Sequence, residues 1–285
     1  MKMNKQCLPC LVNQVVKMAS MTGCLNQDEL FHQFFAYMSQ VDFTKTNPEI
    51  IGEVFAMVKA YIHHDDPYYQ LRHDYNQMFL KQLNQLDNQI HSFEEAVKYA
   101  IVGNIIDFSP LHQNVKQDVT KYFQNIDQLS LTIDHIEDLK ADIKTSSSLL
   151  YLGDNCGEIC LDKLLLKRIK DINPDITLYF ATRGAAVVND SILEDAYQVG
   201  IDEYATIISN GDSSLGTVLS RVSEEFLEIY HKVDIVIAKG QANFESLSEE
   251  KKNIYFLLMV KCGVISQYIG ALEKSLVCLS QRKRG

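Results

Sequence analysis

Residues 153–158, with the sequence GDNCGE, follow four consecutive apolar residues near the middle of the chain. An apolar run that meets a glycine and is followed by an amphipathic segment predicts a buried strand, a tight turn and a helix. Ligands bind at the carboxyl ends of strands in open parallel sheets, and carboxylate and amide oxygens are the ligands that hard cations prefer. Asp154 and Asn155 are therefore the first candidates for a metal site.

The same segment also has a purely structural interpretation. Asn155 could cap the following helix, and Glu158 could complete a capping box that binds free backbone N–H groups. Other polar residues have structural alternatives too, because Asn243 could cap a helix and Arg183 could pair with a surface carboxylate. Each segment taken alone leaves both interpretations open.

Three further β-rich runs in the second half of the chain end in polar or glycine-rich residues. The runs are 176–182, 204–209 and 233–238, and the segments that follow them are 183–190, 210–217 and 239–245. The glycines and hydroxyls of residues 210–217 (NGDSSLGT) could bind a phosphate through backbone N–H groups at a helix start. Because parallel strands place their carboxyl ends at one edge of the sheet, here called the rim, the four segments predict one common site.

The chain changes character near residue 148. Before it, apolar residues recur at helical spacing, which predicts helices at 8–18, 28–39, 48–62, 69–86, 92–102 and 113–123. After it, β-rich runs that begin with 149–153 alternate with predicted helices at 159–170, 188–199 and 215–231. Later runs are compatible with a strand or helix at 254–260 and with a final strand at 275–279.

This alternation is typical of an α/β protein whose parallel sheet is covered on both faces. We predict a helical N-terminal domain over residues 1–145 and a three-layer α/β/α domain with a mostly parallel sheet over residues 146–285. The polar stretch 140–148 is interpreted as the linker between them. Asn189 and Asp190 fall in the first turn of the helix predicted at 188–199.

The amino-acid composition and net charge argue against some classes of function. The chain has 285 residues, 46% apolar and 22% charged, which is typical of a globular protein with a full core. Its formal net charge of −10 argues against a nucleic-acid partner. The first residues lack the apolar region of a signal peptide, and no apolar run has the length of a membrane span. We therefore expect a cytoplasmic protein with no membrane partner, and the sequence does not indicate an oligomeric state.

Seven cysteines, an odd number, favour free thiols over a disulfide framework. Cys7 and Cys10 have the spacing of a zinc half-site or a redox pair, but a four-thiolate zinc site needs a second pair. We expect both thiols to lie away from the chemical step, because the whole helical segment separates them from Asp154. The alternative is that the N-terminal helix folds back to the rim and its thiols line the pocket.

Taken together and in order, these motifs resemble the damage-control phosphatase family, also known as domain of unknown function 89. The blocks that carry the resemblance are CLPC (7–10), DPY (66–68), GNIID (103–107), GDNCGE (153–158), RG and ND (183–190), DA (195–196), GT (216–217) and KGQANFE (239–245). They span most of the chain. The N-terminal Cys-x-x-Cys is similar to the largely prokaryotic branch of that family.

The resemblance implies a Rossmann-like α/β/α part joined to the helical part. It also implies a metal-dependent phosphatase that hydrolyses phosphate monoesters of small metabolites such as sugar phosphates. Asp154, Asn155 and Asp190 are implied to bind the metal, and Lys239 to contact the substrate phosphate. The catalytic candidates are thus these four residues, and the further candidates for substrate or phosphate contact are Arg183, Asn243, Gly216, Thr217, Asn104 and Asp107.

The chemistry of these side chains agrees with that implication. Two carboxylates and an amide oxygen form an incompletely filled oxygen site that suits Mg²⁺ or Mn²⁺, with Co²⁺ or Ni²⁺ as alternatives. Such a metal lowers the pKa of a water and neutralises phosphoryl oxygens, so we expect metal-activated water to be the nucleophile. Asp154 could accept the proton or, alternatively, act as the covalent nucleophile.

Two other function classes are compatible with the pattern. A non-catalytic protein that binds a phosphorylated metabolite could use the same rim, and it would release no phosphate with any metal. A methyl-donor-dependent transferase could use a Rossmann-like sheet. The first strand does not lead into a Gly-x-Gly loop, which argues against the transferase.

Overall fold

A seven-stranded sheet forms the centre of the protein in a computed structural model, which describes residues 1–104, 123 and 126–284. The strands are β1 (Ile133–Asp134), β2 (Ser148–Leu152), β3 (Thr177–Thr182), β4 (Thr206–Ser209), β5 (Ile235–Lys239), β6 (Ile254–Met259) and β7 (Leu276–Ser280). Their order across the sheet is β1-β7-β6-β5-β2-β3-β4. Strands β2 to β6 are parallel, whereas β7 is antiparallel to β6 and β1 is parallel to β7. The predicted mostly parallel sheet is confirmed.

Helices cover this sheet and form an additional N-terminal layer. The N-terminal helices are α1 (Leu8–Met21), α2 (Gln27–Met38), α3 (Asn47–Ile62), α4 (Tyr69–Leu80), α5 (Leu83–Gln89) and α6 (Phe93–Gly103). The later helices are α7 (Ile136–Thr145), α8 (Glu158–Ile172), α9 (Leu193–Val199), α10 (Glu224–Lys232), α11 (Gly240–Leu247) and α12 (Gly263–Ile269). The helix predicted at 113–123 lies outside the described residues apart from its last position. In the described part of the chain, no helix combines the length and apolar character that crossing a membrane requires.

The two faces of the sheet pack against two separate hydrophobic cores. Along β2, Leu149 and Tyr151 belong to one core, and Leu150 and Leu152 belong to the other. Successive side chains of a strand point to opposite faces, so a strand buried on both sides reads as a continuous apolar run. Helices α6 to α9 cover the first face, and α10 to α12 cover the second. Helices α1 to α3 supply most of a third core, which also includes Met3, Tyr68 and Val187.

The polar stretch 140–148 is not a linker, which corrects the sequence-based interpretation. Most of it belongs to α7, whose buried residues Ile136, Leu139 and Ile143 follow helical spacing. Strand β1, which precedes α7, pairs with β7 at the edge of the sheet. The sheet therefore includes residues on the N-terminal side of the predicted boundary at 145 and 146, and the division into two domains stays a prediction.

Three predicted helices are shorter than expected or interrupted. The segment 69–86 forms two helices, α4 and α5, because the N–H of Gln82 bonds to the nearby carbonyl of Phe79 and tightens the turn between them. Residues 188–192 precede α9 as a turn, in which Val188 has a φ of 47°. Residues 215–222 also lie outside a helix, and α10 begins only after Ser223 caps it by accepting a hydrogen bond from the N–H of Phe226.

Helix α4 joins the N-terminal layer to the rim through two buried polar side chains. Arg72 donates from Nε to Asp195 Oδ2 at 2.9 Å, and it binds both carboxylate oxygens of Asp66. Asn76 accepts a hydrogen bond from the backbone N–H of Gly157 at 2.6 Å. Because Gly157 immediately precedes α8 and Asp195 lies in the first turn of α9, α4 fixes the start of both helices.

Replacing Arg72 by alanine should lower the free energy of unfolding by about 3–5 kcal/mol, because Asp195 would stay buried without its cation. Urea denaturation followed by circular dichroism at neutral pH measures the change. Lys232→Ala provides the control, since its pair with Glu228 is exposed to solvent and contributes at most about 1 kcal/mol. Equal losses in the two variants would show that the Arg72 pair does not stabilise the fold.

Candidate active site

The candidate site lies at the rim, where the order of the strands reverses. The chain passes from β2 to β3 and β4 on one side of β2, and then returns to β5 on the other side. A crevice opens at such a switch point, outside the carboxyl ends of the two strands that flank it. Asp154 follows β2, and Lys239 is the last residue of β5, so both residues belong to this position.

Backbone hydrogen bonds join the loop after β2 to the loop after β3. The N–H of Ser191 donates to the carbonyl of Asp154 at 2.8 Å, and the N–H of Cys156 donates to the carbonyl of Asn189 at 2.9 Å. Between them, Asn155 and Asp190 form an antiparallel β-bridge. The structure thus brings together the three predicted metal ligands. It places Asp190 in a turn rather than in the first turn of a helix, because its segment pairs with the other loop.

The structural alternative for Asn155, a helix cap, is not observed. Helix α8 begins at Glu158 after Gly157, which has a φ of 81° that favours glycine. The side-chain amide of Asn155 instead donates to Asp154 Oδ2 at 3.0 Å and to Glu158 Oε2 at 3.1 Å. Its side chain is therefore directed at the carboxylates of the site.

Asp154 and Asp190 are buried acids that share one arginine. The Nε of Arg183 donates to Asp190 Oδ2 at 2.7 Å, and its Nη2 lies 3.6 Å from Asp154 Oδ1. Burial raises the pKa of Asp154 well above its usual range, and the charges of Asp190 and Glu158 add to the shift. Burial also raises the pKa of Asp190, although Arg183 opposes that shift. The Nη2 of Arg183 has no hydrogen-bond partner among the described residues.

Lys239 occupies a second, deeper ion-pair cluster. Its side chain has 0% exposure, and its Nζ lies 2.6 Å from Glu158 Oε1 and 2.6 Å from Asp162 Oδ1. The hydroxyl of Tyr151 donates to the same oxygen of Asp162 at 2.7 Å. Burial raises the pKa of Asp162 to about 6, while Lys239 opposes the shift. In this structure Lys239 binds carboxylates of the protein, and its predicted contact with a substrate phosphate stays a prediction.

Asn104, the residue that follows α6, contacts the carboxylates of the site, and its predicted contact with a substrate phosphate stays a prediction. Its Nδ2 lies 3.0 Å from Asp154 Oδ2 and 3.3 Å from Glu158 Oε2. The amides of Asn104 and Asn155 therefore donate to the same two carboxylates. Asp107, the other candidate from this region, lies outside the described residues.

The charges of this cluster fit a divalent cation. Among the described residues, four carboxylates, from Asp154, Glu158, Asp162 and Asp190, form ion pairs with two basic side chains, which leaves two negative charges without an ion-pair partner when all acids are ionised. Buried charges need compensation, so this excess favours a bound divalent ion. No group of three or more His, Cys, Asp or Glu side chains in the described part of the chain forms a ready-made metal cluster. The predicted ligand set instead combines two carboxylates with an amide, and a half-turn of the Asn155 amide would present its oxygen.

Gly240 allows β5 to approach the Asp154 carboxylate. Its φ is 75°, and a Cβ at this position would overlap Asp154 Oδ2 and contact Asn104 Nδ2. Only a residue without a side chain can therefore connect β5 to α11 while leaving Asp154 in place.

Three of the predicted phosphate-binding residues connect loops of the rim to one another: Gly216, Thr217 and Asn243. Thr217 Oγ1 donates to Asn243 Oδ1 at 2.8 Å, and Asn243 Nδ2 donates to the carbonyls of Lys239 and Gly153. Both side chains are fully buried, and a Cβ on Gly216 would overlap the backbone of α11. These contacts join the loops after β2, β4 and β5. The polar side-chain atoms of Thr217 and Asn243 bond within the protein, and the predicted phosphate contacts of the three residues stay a prediction.

The N-terminal segment, which carries Cys7 and Cys10, contacts α11. The ammonium group of Met1 donates to the carbonyl of Glu245 on α11 at 2.7 Å. Burial raises the pKa of Cys7 to about 11, and the nearby Glu245 and Cys262 add to the shift. Cys7 is half-buried and Cys10 is exposed. The N-terminal segment therefore folds back to α11, and the expectation that both thiols lie away from the chemical step stays a prediction.

Sequence reasoning missed the roles of Glu158, Asp162 and Tyr151. The spacing of four between Glu158 and Asp162 indicates one face of a helix, and this signal was available. Which neighbour that face meets depends on how α8 rotates against β5, and no local pattern specifies that rotation. In the sequence, Tyr151 is indistinguishable from the apolar residues of a buried strand, so its hydroxyl was not considered.

Comparisons with known proteins agree with this geometry. A family model described as "Damage-control phosphatase ARMT1-like domain" matches residues 3–277. A damage-control phosphatase of Pyrococcus horikoshii is 31% identical over 291 residues, which cover 99% of each chain. Another, of Archaeoglobus fulgidus, is 31% identical over 214 residues, covering 72% of this chain and 73% of its own.

The fold comparison gives the same result. The crystal structure of a DUF89 family protein from Pyrococcus horikoshii matches with a TM-score of 0.89 and 28% sequence identity, over 99% of both chains. Sequence and fold thus agree along nearly the whole length, and the chain belongs to the damage-control phosphatase ARMT1-like family.

Proposed function

We propose that this protein hydrolyses phosphate monoesters of small metabolites, sugar phosphates among them, with a divalent metal ion bound by Asp154, Asn155 and Asp190. The observation that carries the proposal is the buried cluster at the switch point of the sheet, in which carboxylates outnumber the basic side chains by two. The relatives named damage-control phosphatases support a phosphatase rather than a non-catalytic binding protein.

Mg²⁺ and Mn²⁺ are the cations that this oxygen-rich set suits best, with Co²⁺ and Ni²⁺ as alternatives. A bound divalent ion supplies Lewis acidity, which stabilises negative charge on phosphoryl oxygens and makes a water more acidic. The protein would contribute orientation, because its two buried aspartates are fixed by the β-bridge and by Arg183. It would also exclude bulk water from the reacting groups.

Arg183 is a cationic side chain that is well placed to bind the substrate phosphate. Its Nε is held by Asp190, which leaves the unpartnered Nη2 to donate to a phosphoryl oxygen beside Asp154. A planar guanidinium suits phosphate because it presents several N–H groups in a fixed arrangement. Lys239, in this proposal, acts through its two carboxylate partners and not through direct phosphate contact.

Asp154 would accept the proton of the attacking water. Its Oδ1 accepts no close hydrogen bond from the residues that the structure describes, since Arg183 Nη2 lies 3.6 Å away. Asp190, which accepts a short hydrogen bond from Arg183, is less suited to that role.

Phosphate release should require a divalent metal. We expect a screen of small phosphate monoesters to give activity that EDTA abolishes and that excess Mg²⁺ or Mn²⁺ restores, because the carboxylate cluster needs a cation to bind an anionic substrate. Inorganic phosphate release measures the rate. Full activity after metal removal, verified by elemental analysis, would contradict the proposal.

The two buried aspartates should be essential. Asp154→Asn and Asp190→Asn should each lower kcat/KM by about 10³-fold or more, since each removes a charge at the metal and at the reacting phosphoryl group. Asp175→Asn, an exposed residue before β3 at the opposite edge of the sheet, provides the matched control and should retain activity. Activity within a few-fold of wild type would remove the substituted residue from the site.

Arg183 should be required for its shape as well as its charge. Arg183→Lys keeps the positive charge but cannot hold Asp190 and a phosphoryl oxygen with the same planar group, so kcat/KM should fall by about 10²-fold. Arg168→Lys on α8, which contacts Asp87 away from the rim, serves as the control. Normal kinetics for Arg183→Lys would show that charge alone suffices.

A further inference from the structure

Asp162 is a buried carboxylate outside the proposed ligand set of Asp154, Asn155 and Asp190. It lies on α8 one turn after Glu158, and its Oδ1 accepts from both Lys239 and the hydroxyl of Tyr151. Its Oδ2 is buried and has no hydrogen-bond partner among the described residues. Keeping a charged group in such an environment is costly, so its contact with Lys239 has to offset that cost.

Lys239 links Asp162 to Glu158 by contacting both carboxylates. The ammonium group lies 2.6 Å from an oxygen of each acid, and all three side chains are wholly buried. An ammonium between two fixed carboxylates has little freedom to move. Lys239 therefore fixes the Oε1 oxygen of Glu158, and the planar carboxylate then fixes Oε2 as well.

Glu158 Oε2 faces the proposed metal ligands. It accepts from the amide of Asn155 at 3.1 Å and from that of Asn104 at 3.3 Å. The same two amides donate to Asp154 Oδ2, each at 3.0 Å. Glu158 and Asp154 are thus linked side by side through shared amides, and a rotation of Glu158 would release both amides from one of their two acceptors.

We propose that Asp162 is a positioning residue of the metal site: by holding Lys239 against Glu158, it fixes the Glu158 carboxylate, and with it the amide of Asn104, beside Asp154. The inference rests on the proposed function, because it assumes that Asp154 and Asn155 bind a divalent ion. Residues that orient metal ligands typically affect metal affinity by about 10- to 100-fold. The effect of losing Asp162 should have that size and should appear in metal binding.

The experiment compares Asp162→Asn with the wild-type enzyme and with Asp171→Asn, the same substitution at an exposed position of α8. Mn²⁺ binding without substrate is measured by electron paramagnetic resonance, which detects free Mn²⁺. Asp162→Asn should bind Mn²⁺ about 10- to 100-fold more weakly. At saturating Mn²⁺ its kcat should approach the wild-type value, while Asp171→Asn should match wild type throughout. A folded Asp162→Asn enzyme with wild-type Mn²⁺ affinity would overturn the proposal.

A double-mutant cycle separates positioning from a general loss of negative charge. If Asp162 acts through Glu158, adding Asp162→Asn to Glu158→Gln should cause little further loss of Mn²⁺ affinity. Two losses that add fully would overturn the proposal, because independent charge effects add. Should Asp162→Asn fail to fold, Tyr151→Phe removes only the hydroxyl that donates to Asp162, and it should weaken Mn²⁺ binding in the same direction. Unchanged Mn²⁺ affinity in that variant would then overturn the proposal.

These measurements also distinguish the inference from the proposed function. A wild-type enzyme that binds Mn²⁺ but hydrolyses no phosphate monoester would contradict the phosphatase, and the Mn²⁺ titrations would still test Asp162. A wild-type enzyme that does not bind Mn²⁺ at all would overturn the role of Asp162 in the metal site.

Discussion

The backbone pairing between the loops after β2 and β3 determines the geometry of the whole site. Asn155 and Asp190 form its β-bridge, and flanking N–H···O=C bonds hold the loops on either side. Because main-chain bonds set this arrangement, the side chains of Asp154 and Asp190 have little freedom to separate, although their charges repel each other. Arg183 reduces that repulsion from one side, and its backbone N–H also bonds to Ser191 within the paired loops.

The fold stabilises this concentration of charge by surrounding it with rigid elements. Helix α8 supplies Glu158 and Asp162, strand β5 supplies Lys239, and helix α6 supplies Asn104. From the N-terminal layer, Asn76 binds the backbone just before α8 and Arg72 binds Asp195 at the start of α9. The helical layer therefore does more than cover the sheet, because it fixes the ends of two helices that border the site.

Much of the architecture could be predicted from local patterns, whereas the contacts at the site depend on tertiary packing. Parallel strands place their carboxyl ends together, so the proximity of Asp154, Asn155 and Lys239 follows from their positions after apolar runs. Helix α7 was not predicted because residues 140–148 are mostly polar. Only three apolar residues at helical spacing pack α7 against the core. The prediction that Asp190 lies in a helix was wrong, because its loop pairs with the loop after β2. That loop is distant in sequence, so no local pattern indicates the pairing. The burial of Lys239 depends on which face of α8 meets β5, and the return of the N-terminus to α11 involves residues 244 positions apart.

The glycine at the start of α11 has a consequence for how this family member could change its substrates. Gly240 lies so close to Asp154 that any side chain there would occupy the space of the carboxylate. Position 240 therefore cannot accept another residue, whether by natural mutation or in a directed library, unless Asp154 moves. New substrate preferences have to arise in loops farther from Asp154. The ends of β2 and β5, which carry the site, stay the same.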